Sequence, residues 1–308
     1  MELVNPRLVA EGLMFPEGPV AMPDGSLLCV EIRRGTLTRV TSDGAHEVVA
    51  DLGGGPNGAA IGPDGAVYVC NSGGFEYDDS SGFVIPGDQA DDYSGGRIER
   101  VDLATGKYEA IYTACGEFPL KGPNDIVFDA EGGMWFTDHG KTRARDRDRG
   151  GIYWARPDGS KIVEVVYPAD APNGIGISPD GGTLYYAETF TSRVFRREIV
   201  GPGELAPMSI LDSSWLLAGL PGFMPLDSLA VDSAGNVCVG VLGLQSGIAV
   251  ISPDGDVDHL PVAADWWDPL VTNICFGGDD LRTAYLTYSG TGRIVACDWP
   301  HPGLALAF

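Results

Sequence analysis

The sequence is poor in basic residues. Its 308 residues include 20 Lys and Arg against 43 Asp and Glu, which gives a formal net charge of −23 at pH 7. Binding to a polyanion such as DNA requires clustered Lys and Arg. The composition therefore argues against nucleic acid and against an anionic membrane as partners, while such acidity modestly raises the local concentration of cations.

Long apolar runs and paired cysteines are also lacking. No stretch approaches the roughly 20 apolar residues of a membrane span, and the N-terminal segment MELVNPRLVAEGL has no basic region followed by an apolar one. We therefore expect a soluble, cytoplasmic protein that does not bind membranes. The six cysteines show neither CxxC pairs nor Cys/His zinc spacing, so we expect buried free thiols.

No segment of any length shows the 3.6-residue apolar period of a helix. The 44 glycines and 22 prolines instead indicate many tight turns. Six segments repeat one pattern, in which a polar residue enters an apolar strand that ends in a hairpin turn: PEGPVAMPDG, PNGAAIGPDG, PNDIVFDAEG, PNGIGISPDG, PLDSLAVDSAG and VTNICFGGDD. A second and a third strand follow each turn, with a weaker fourth, and such a period of about 40 to 50 residues is typical of a propeller.

These repeats predict an all-β fold, a six-bladed β-propeller formed by residues 1–308 as a single domain. The sixth repeat ends after its third strand. The segment RLVAEG, which precedes the first repeat, has the character of a strand. We therefore expect the N-terminal strand to complete the last blade and close the ring, so that no sheet edge stays open.

The longest interval between repeats contains an insertion, residues 73–97, between the second and third strands of blade two. It is rich in Gly, Asp and Ser, but it also carries the aromatic residues Phe75, Tyr77, Phe83 and Tyr93. A solvated surface loop and a lid over the mouth of the channel are both consistent with this composition.

The polar residue of each repeat indicates the chemistry of the site. In a propeller the first strand of each blade lines the channel, so these side chains face one axis: Glu17, Asn57, Asn124, Asn173, Asp227 and Asn273. An Asn in such a place is often only a turn residue, but a glutamate has no such preference and a buried carboxylate needs a partner. Glu17 and Asp227 together neutralise a divalent cation, and Asn173 supplies a neutral oxygen.

Four motifs resemble those of the family of gluconolactonases, regucalcin (senescence marker protein) and luciferin-regenerating enzyme. They are FPEGPV, GPNDIVFD with WFTD, APNGIGISPDGGTLYYAET and LDSLAVDSAGNVCVG. The resemblance spans the whole chain and implies a six-bladed propeller that holds one divalent metal and most commonly hydrolyses a lactone. It makes Glu17, Asn173 and Asp227 the metal ligands and Asn124 a substrate contact or a further ligand, and it matches Asp125 to the acidic residue of the family's Asn-Asp pair.

Such a site would act as a metal-dependent lactonase, a carboxylic ester hydrolase. The metal polarises the carbonyl and lowers the pKa of a bound water, and a carboxylate takes the water proton, for which Asp227 and Asp125 are the candidates. Oxygen ligands favour Ca²⁺ or Mg²⁺; Ca²⁺ is our first expectation, with Zn²⁺, Mn²⁺ and Fe²⁺ as alternatives. His139, at the end of a second strand, is a candidate second-layer proton carrier.

One departure from the family concerns the substrate. Sugar lactonases of this family carry an arginine two residues before the Asn-Asp pair, where this chain has Gly122, preceded by Lys121. We therefore expect a small lactone or ester less polar than a sugar lactone. The predicted contacts are Asn124 and Lys121, with Phe75 and Trp266 as apolar walls.

Two alternatives remain open at this point. A non-catalytic calcium-binding propeller would need the cation for structure alone, although a pure interaction surface does not require two acids on the axis. A metal-dependent phosphotriesterase would need much the same cation and carboxylates.

Overall fold

The chain folds as a ring of six antiparallel β-sheets around a central channel, as the repeats predict. The computed structural model describes residues 3–209 and 211–308. Within them there is no α-helix, only two short 3₁₀ turns at Gly243–Gln245 and Ala264–Trp266. The same residues include no helix with the length and apolar character needed to cross a bilayer.

The first three blades follow in chain order after the N-terminal strand β1 (Val4–Ala10). Blade one contains β2 (Pro16–Ala21), β3 (Leu27–Glu31), β4 (Thr36–Val40) and β5 (His46–Asp51). Blade two contains β6 (Pro56–Ile61), β7 (Val67–Asn71), an inserted hairpin of β8 (Phe75–Asp78) and β9 (Ile85–Gln89), then β10 (Arg97–Val101) and β11 (Tyr108–Tyr112). Blade three follows the hairpin of β12 (Ala114–Cys115) and β13 (Phe118–Pro119), and contains β14 (Pro123–Phe128), β15 (Met134–Asp138), the hairpin of β16 (Thr142–Arg143) and β17 (Asp146–Arg147), β18 (Gly150–Ala155) and β19 (Ile162–Ala169).

The remaining blades complete the ring. Blade four contains β20 (Pro172–Ile177), β21 (Thr183–Glu188), β22 (Arg193–Gly201), the short β23 (Glu204–Leu205) and β24 (Leu216–Gly219). Blade five contains β25 (Leu226–Val231), β26 (Val237–Val241), β27 (Gly247–Ile251) and β28 (Val257–Pro261). Blade six contains β29 (Val271–Gly277), β30 (Thr283–Tyr288) and β31 (Arg293–Asp298), and β1 pairs antiparallel with β31 as its fourth strand. The predicted closure of the last blade by the N-terminal strand is therefore confirmed.

Apolar side chains between the blades hold the ring together. Six clusters of buried residues lie between successive pairs of blades, and the largest side chains in them include Trp135, Trp154 and Tyr288. All six cysteines are free thiols, four of them buried, while Cys115 and Cys275 are partly exposed. Because the sheets pack face to face on every side, the ring positions its first strands rigidly around the axis.

The turn at the far end of each first strand explains the recurring acidic residue there. An aspartate side chain accepts the backbone N–H two residues further on in all six blades, at 2.9 to 3.2 Å: Asp24, Asp64, Asp129, Asp180, Asp232 and Asp280. This is the local hydrogen bond for which Asp is favoured in turns. These six acids are therefore structural, and they lie at what we call the lower end of the ring.

A second set of polar side chains fixes the upper end, where each first strand begins. The last residue of a second strand accepts the backbone N–H of the segment that enters the first strand in four blades, through Glu31, Asn71, Asp138 and Glu188. Asp138 takes two such bonds, from the amides of Lys121 and Gly122, both at 2.7 Å. The entry to each of these first strands is thereby held in one position, and with it the side chains that follow.

Candidate metal and substrate site

The six polar residues that the repeats place on the axis form one layer at the upper end, which we call the polar ring. It consists of Glu17, Asn57, Asn124, Asn173, Asp227 and Asn273. In every blade the pairing between the first and second strands changes register at or beside this residue. A β-bulge re-aims the side chain at which it occurs. The polar ring thus depends on six register shifts, which the sequence repeats do not predict.

Close approach of the first strands makes the polar ring compact. Gly18 follows Glu17 with a positive φ of 52°, and a Cβ placed on it would lie 2.5 Å from the carbonyl oxygen of Asn57. Only glycine fits this contact without moving the backbone. Blade one therefore touches blade two directly beside the first carboxylate of the site.

Glu17 is buried and is oriented by its neighbours. It is 2% exposed, and its Oε2 accepts the amide N–H of Gly18 at 2.6 Å and the Nδ2 of Asn273 at 2.7 Å. Burial raises the pKa of Glu17, and these two hydrogen bonds lower it in part. Asn273, which the repeats indicate only as a channel residue, therefore positions the Glu17 carboxylate.

Asn173 and Asp227 lie on the first strands of blades four and five, beside one another. The Asn173 Oδ1 accepts the hydroxyl of Ser228 at 3.3 Å, and its Nδ2 donates to the Thr189 Oγ1 at 3.1 Å. Burial raises the pKa of Asp227 well above its ordinary value, the charge of Glu17 raises it further, and the Asn173 side chain opposes the shift. The three predicted ligands Glu17, Asn173 and Asp227 are thus brought together, and the Ser228 hydroxyl bonds to one of them.

The site carries three acidic side chains without a basic counterpart. Within the described part of the chain, no Lys or Arg forms an ion pair with Glu17, Asp125 or Asp227. The side-chain Oδ1 of Asn124 is buried and has no hydrogen-bond partner there. Buried carboxylates and an unpaired carbonyl oxygen are costly unless a partner satisfies them.

This donor set fits a hard divalent cation. Its oxygens come from two carboxylates, Glu17 and Asp227, and from the amides of Asn173 and Asn124, and such oxygen ligands suit Ca²⁺ or Mg²⁺. Among residues 3–209 and 211–308, no three His, Cys, Asp or Glu side chains converge in an arrangement that would hold a metal. Any metal would consequently depend on the amide oxygens as well as on the two acids.

Asp125 lies further down the channel than Glu17 and Asp227. Its two oxygens accept the amides of Ile126 and Ile175, each at 3.0 Å, and burial raises its pKa to about 7. It also lines the channel below the polar ring, a cavity of about 1060 Å³. Asp125 therefore links the first strands of blades three and four on the lower side of the ring.

His139 and Lys121 lie near the upper end of blade three. The His139 ring packs edge-on against Phe190 at 6.0 Å between centroids, and burial lowers its pKa to about 4, so the imidazole is neutral at neutral pH. The Lys121 side chain is exposed, while its backbone amide bonds to Asp138. Neither residue makes a hydrogen bond to a polar-ring side chain in the described structure, so both predicted roles stay predictions.

The aromatic residues are distributed differently from what the sequence suggests. Trp266 packs against the core cluster between blades five and six, whereas the adjacent Trp267 meets Phe83 of the insertion at 5.3 Å between ring centroids. Phe75 is half-buried at the base of the insertion, with the Nζ of Lys141 3.5 Å from its ring centroid. The sequence singled out Trp266 and did not single out Lys141, because a buried lysine carries no local signal.

The sequence of the chain matches a known protein family. Residues 15–290 match the family described as "SMP-30/Gluconolactonase/LRE-like region". The chain belongs to this family. The match includes every residue of the polar ring, so the predicted resemblance is confirmed.

Curated lactonases and gluconolactonases resemble the chain over 60% or more of its length. The lactonase drp35 of Staphylococcus saprophyticus is 28% identical over 264 residues, which cover 83% of this chain and 70% of that protein. The gluconolactonase of Zymomonas mobilis is 25% identical, over 88% of this chain and 75% of that one. A 6-deoxy-6-sulfogluconolactonase of Pseudomonas putida is 31% identical over 60% of each chain.

Solved structures of the same family share the fold. A gluconolactonase from Xanthomonas campestris superimposes with a TM-score of 0.73 at 21% identity, covering 96% of this chain and 89% of that one. A calcium-binding regucalcin from Agrobacterium tumefaciens gives a TM-score of 0.71 at 19% identity, covering 98% of both chains. At these identities the likeness supports the six-bladed fold and nothing finer.

Proposed function

We propose that this protein is a metal-dependent lactonase, which hydrolyses a cyclic ester to the open-chain hydroxy acid. The observation that carries the proposal is a pair of carboxylates, the buried Glu17 and the partly exposed Asp227, whose pKa values desolvation raises and which have no basic partner among the described residues. The lactonase and gluconolactonase names of the relatives support the same reaction. A purely structural ring would have no reason to keep these acids desolvated.

The cation would be held by Glu17, Asn173 and Asp227, with Asn124 as a further ligand or a substrate contact. When bound, it would polarise the lactone carbonyl and lower the pKa of a water. The oxygen donors favour Ca²⁺ or Mg²⁺, and we propose Ca²⁺ because the calcium-binding regucalcin structure has the same fold. Asn124 is suited to either role because its Oδ1 has no protein partner.

Asp227 serves better than Asp125 as the general base. Asp227 is partly exposed in the polar ring, whereas both oxygens of Asp125 are occupied by backbone amides on the lower side of the ring. In the proposed step, Asp227 takes a proton from water as the water oxygen bonds to the carbonyl carbon. The C–O bond of the lactone ring then breaks, and the proton passes to the leaving oxygen. The product carries a carboxylic acid and a hydroxyl group.

The substrate is proposed to be less polar than an aldonolactone. A Cβ placed on Gly122 would lie 2.7 Å from the carbonyl oxygen of Gly140, so the family's sugar-binding arginine has no room at this position. Phe75, Phe83 and Trp267 are all partly buried at the upper end of the ring. Asn124 remains as a polar contact that orients the lactone.

The experiment is a panel of sugar lactones, apolar lactones, aryl esters and a phosphotriester, assayed with chelator-treated protein and with each divalent ion added back. Glu17→Gln and Asp227→Asn are the test variants, and Asp180→Asn at a lower turn is the control. We expect metal-dependent opening of apolar lactones, lost in both test variants and kept in the control.

Three results would contradict the proposal in distinct ways. Full activity after chelation and in both test variants would exclude the metal site. Faster opening of gluconolactone than of any apolar lactone would overturn the substrate class. Tight Ca²⁺ binding without hydrolysis of any compound would leave a calcium-binding propeller instead.

A further inference from the structure

The insertion of blade two crosses the upper end of the ring. Its hairpin of β8 and β9, with the connecting residues 79–84, is called the gate hairpin here. The Tyr77 ring packs on Phe15, two residues before Glu17, at 5.7 Å between centroids. Val84 and Ile85 pack in the same cluster as Leu270, which precedes the first strand of blade six. The gate hairpin thus extends from blade two past blade one to blade six, over the entrance to the polar ring.

The base of the gate hairpin is fixed by a buried lysine, whose pKa burial lowers to about 7. Lys141 lies on blade three and is only 1% exposed. Its Nζ donates to the carbonyl of Gly74 at 2.8 Å and to the hydroxyl of Ser72 at 3.2 Å, and it lies over the ring of Phe75. A buried amino group with these partners is costly to release, because the carbonyl of Gly74 and the Nζ of Lys141 would both be left without a hydrogen bond.

The tip of the gate hairpin is held much more weakly. Residues 78–82 are exposed, and Asp79 forms a solvent-exposed ion pair with Arg33 of blade one at 3.2 Å. Besides the packing of Val84 near Leu270, the tip meets the far side of the ring through one hydrogen bond and one aromatic pair. The amide of Val84 donates to the carbonyl of Gly290 at 2.9 Å, and the Phe83 ring meets Trp267 edge-on at 5.3 Å. One hydrogen bond and one aromatic pair each contribute about 1 kcal/mol.

The surface that receives the tip is itself rigid. Asp268 is fully buried and follows Trp267 directly. It accepts the backbone amides of Leu270 and Thr291, each at 2.8 Å, and so ties the Trp267 segment to the segment of Gly290. The weak contact therefore lies between two fixed parts, a base held by Lys141 and a platform held by Asp268.

From this contrast we infer that the gate hairpin opens at the Phe83–Trp267 contact while Lys141 holds its base. This contact limits the size of the lactones that reach the polar ring. The inference rests on the proposed function for its substrates. Phe83 and Trp267 would determine specificity, and Lys141 would be a positioning residue. Opening at one end exposes the entrance without unfolding the hairpin, which suits a lid on a rigid scaffold.

Amide hydrogen exchange followed by mass spectrometry tests the opening without any substrate. In Phe83→Ala and Trp267→Ala we expect exchange in peptides covering 79–86 to accelerate by about three- to tenfold, the range for loss of one aromatic pair, while peptides covering 72–75 stay protected. Lys141→Met should accelerate exchange in 72–75. Tyr108→Ala, an exposed aromatic on β11, is the matched control and should change neither.

Kinetics with lactones of two sizes test whether the Phe83–Trp267 contact limits the size of the substrate. In Phe83→Ala we expect the ratio of kcat/KM for a bulky over a small apolar lactone to rise about tenfold, while Tyr108→Ala should leave this ratio unchanged. Lys141→Met should raise KM for both lactones.

Equal rates of amide hydrogen exchange at residues 79–86 in Phe83→Ala and in the unaltered chain would contradict the opening of the gate hairpin. Accelerated exchange with an unchanged selectivity ratio would overturn the size limit. If the unaltered chain hydrolyses no lactone, the proposed function fails, while the exchange experiment still decides the gate.

Discussion

The two ends of the six first strands carry acids in opposite situations. At the lower end, Asp24 and Asp180 accept hydrogen bonds from their own turns and from neighbouring serine hydroxyls, and these bonds lower the pKa of each carboxyl. At the upper end, burial raises the pKa of Glu17 and of Asp227. The same fold therefore satisfies the lower carboxylates locally and leaves Glu17 and Asp227 without a basic partner among the described residues.

The difference separates the repeated residues that form turns from those that we propose to have a functional role. Each blade contains one of the six lower acids, and each acid forms the same hydrogen bond to its own turn. Their repetition therefore reflects the geometry of the turn. The polar ring repeats in position but not in residue type, and only two of its members are acids. Variation within a structural repeat is thus more informative about the site than the repeat itself.

The largest expected effect is on catalysis. Replacing Asp227 by Asn should lower kcat for lactone hydrolysis by about 10³-fold, within the range for loss of a general base. Asp24→Asn at the lower end should leave kcat/KM unchanged. Steady-state assays of both variants check this, and a comparable loss in Asp24→Asn would erase the functional distinction between the two ends.

Cation binding should appear in stability as well as in activity. At a Ca²⁺ concentration about 100 times the Kd, linkage predicts about 2.7 kcal/mol of stabilisation over the chelated protein, seen as a rise in Tm of several degrees. Glu17→Gln should abolish the rise, because it removes one of the two charges that neutralise the ion. Thermal scans with and without chelator measure it, and an undiminished Ca²⁺ response in Glu17→Gln would place the cation elsewhere.

A third prediction separates two asparagines of the polar ring. Asn273→Ala should destabilise the protein by about 1–3 kcal/mol, because its side chain bonds both Glu17 and the amide of Ile274. Asn124→Ala should change the free energy of unfolding little, since its Oδ1 has no partner, but should raise KM. Denaturant titration with kinetics tests both, and an equal stability loss in the two variants would refute the assignment of Asn124 to ligand binding.

The smallest effect is expected at the lower turns. Asp180 accepts the amide of Gly182 and the hydroxyl of Ser178, and its carboxyl is exposed. Asp180→Asn should lower Tm slightly and leave Ca²⁺ binding and hydrolysis intact. A drop in Ca²⁺ affinity in this variant, measured by calorimetry, would mean that the two ends are coupled.

The architecture could be predicted from the sequence because it repeats. The period, the hairpin turns and the short last repeat are enough to predict six blades and a closing N-terminal strand. The members of the polar ring followed from the same alignment of repeats. The bulges that turn these side chains toward the axis could not be predicted, because a register shift depends on how two strands pair and leaves no residue pattern.

The parts that sequence could not supply arise from tertiary packing. Asp125 follows Asn124 in the chain, yet its bond to Ile175 in blade four places it at another level. Trp266 and Trp267 are adjacent, and the sequence does not distinguish their roles. Only the tertiary structure places Trp266 against the core and Trp267 against the gate hairpin. Lys141 acquires its role solely from residues that lie about 70 positions away.

The hydrogen bond between Glu17 and Asn273 joins residues 256 positions apart. Contacts of such separation form late, because the entropy of closing the loop must be overcome first. A chain in which blades one to five have folded but β29 is not yet in place would hold the Glu17 carboxylate without its orienting amide. Cation affinity would then develop only as the ring closes, so the time course of Ca²⁺ uptake during refolding would report completion of the propeller.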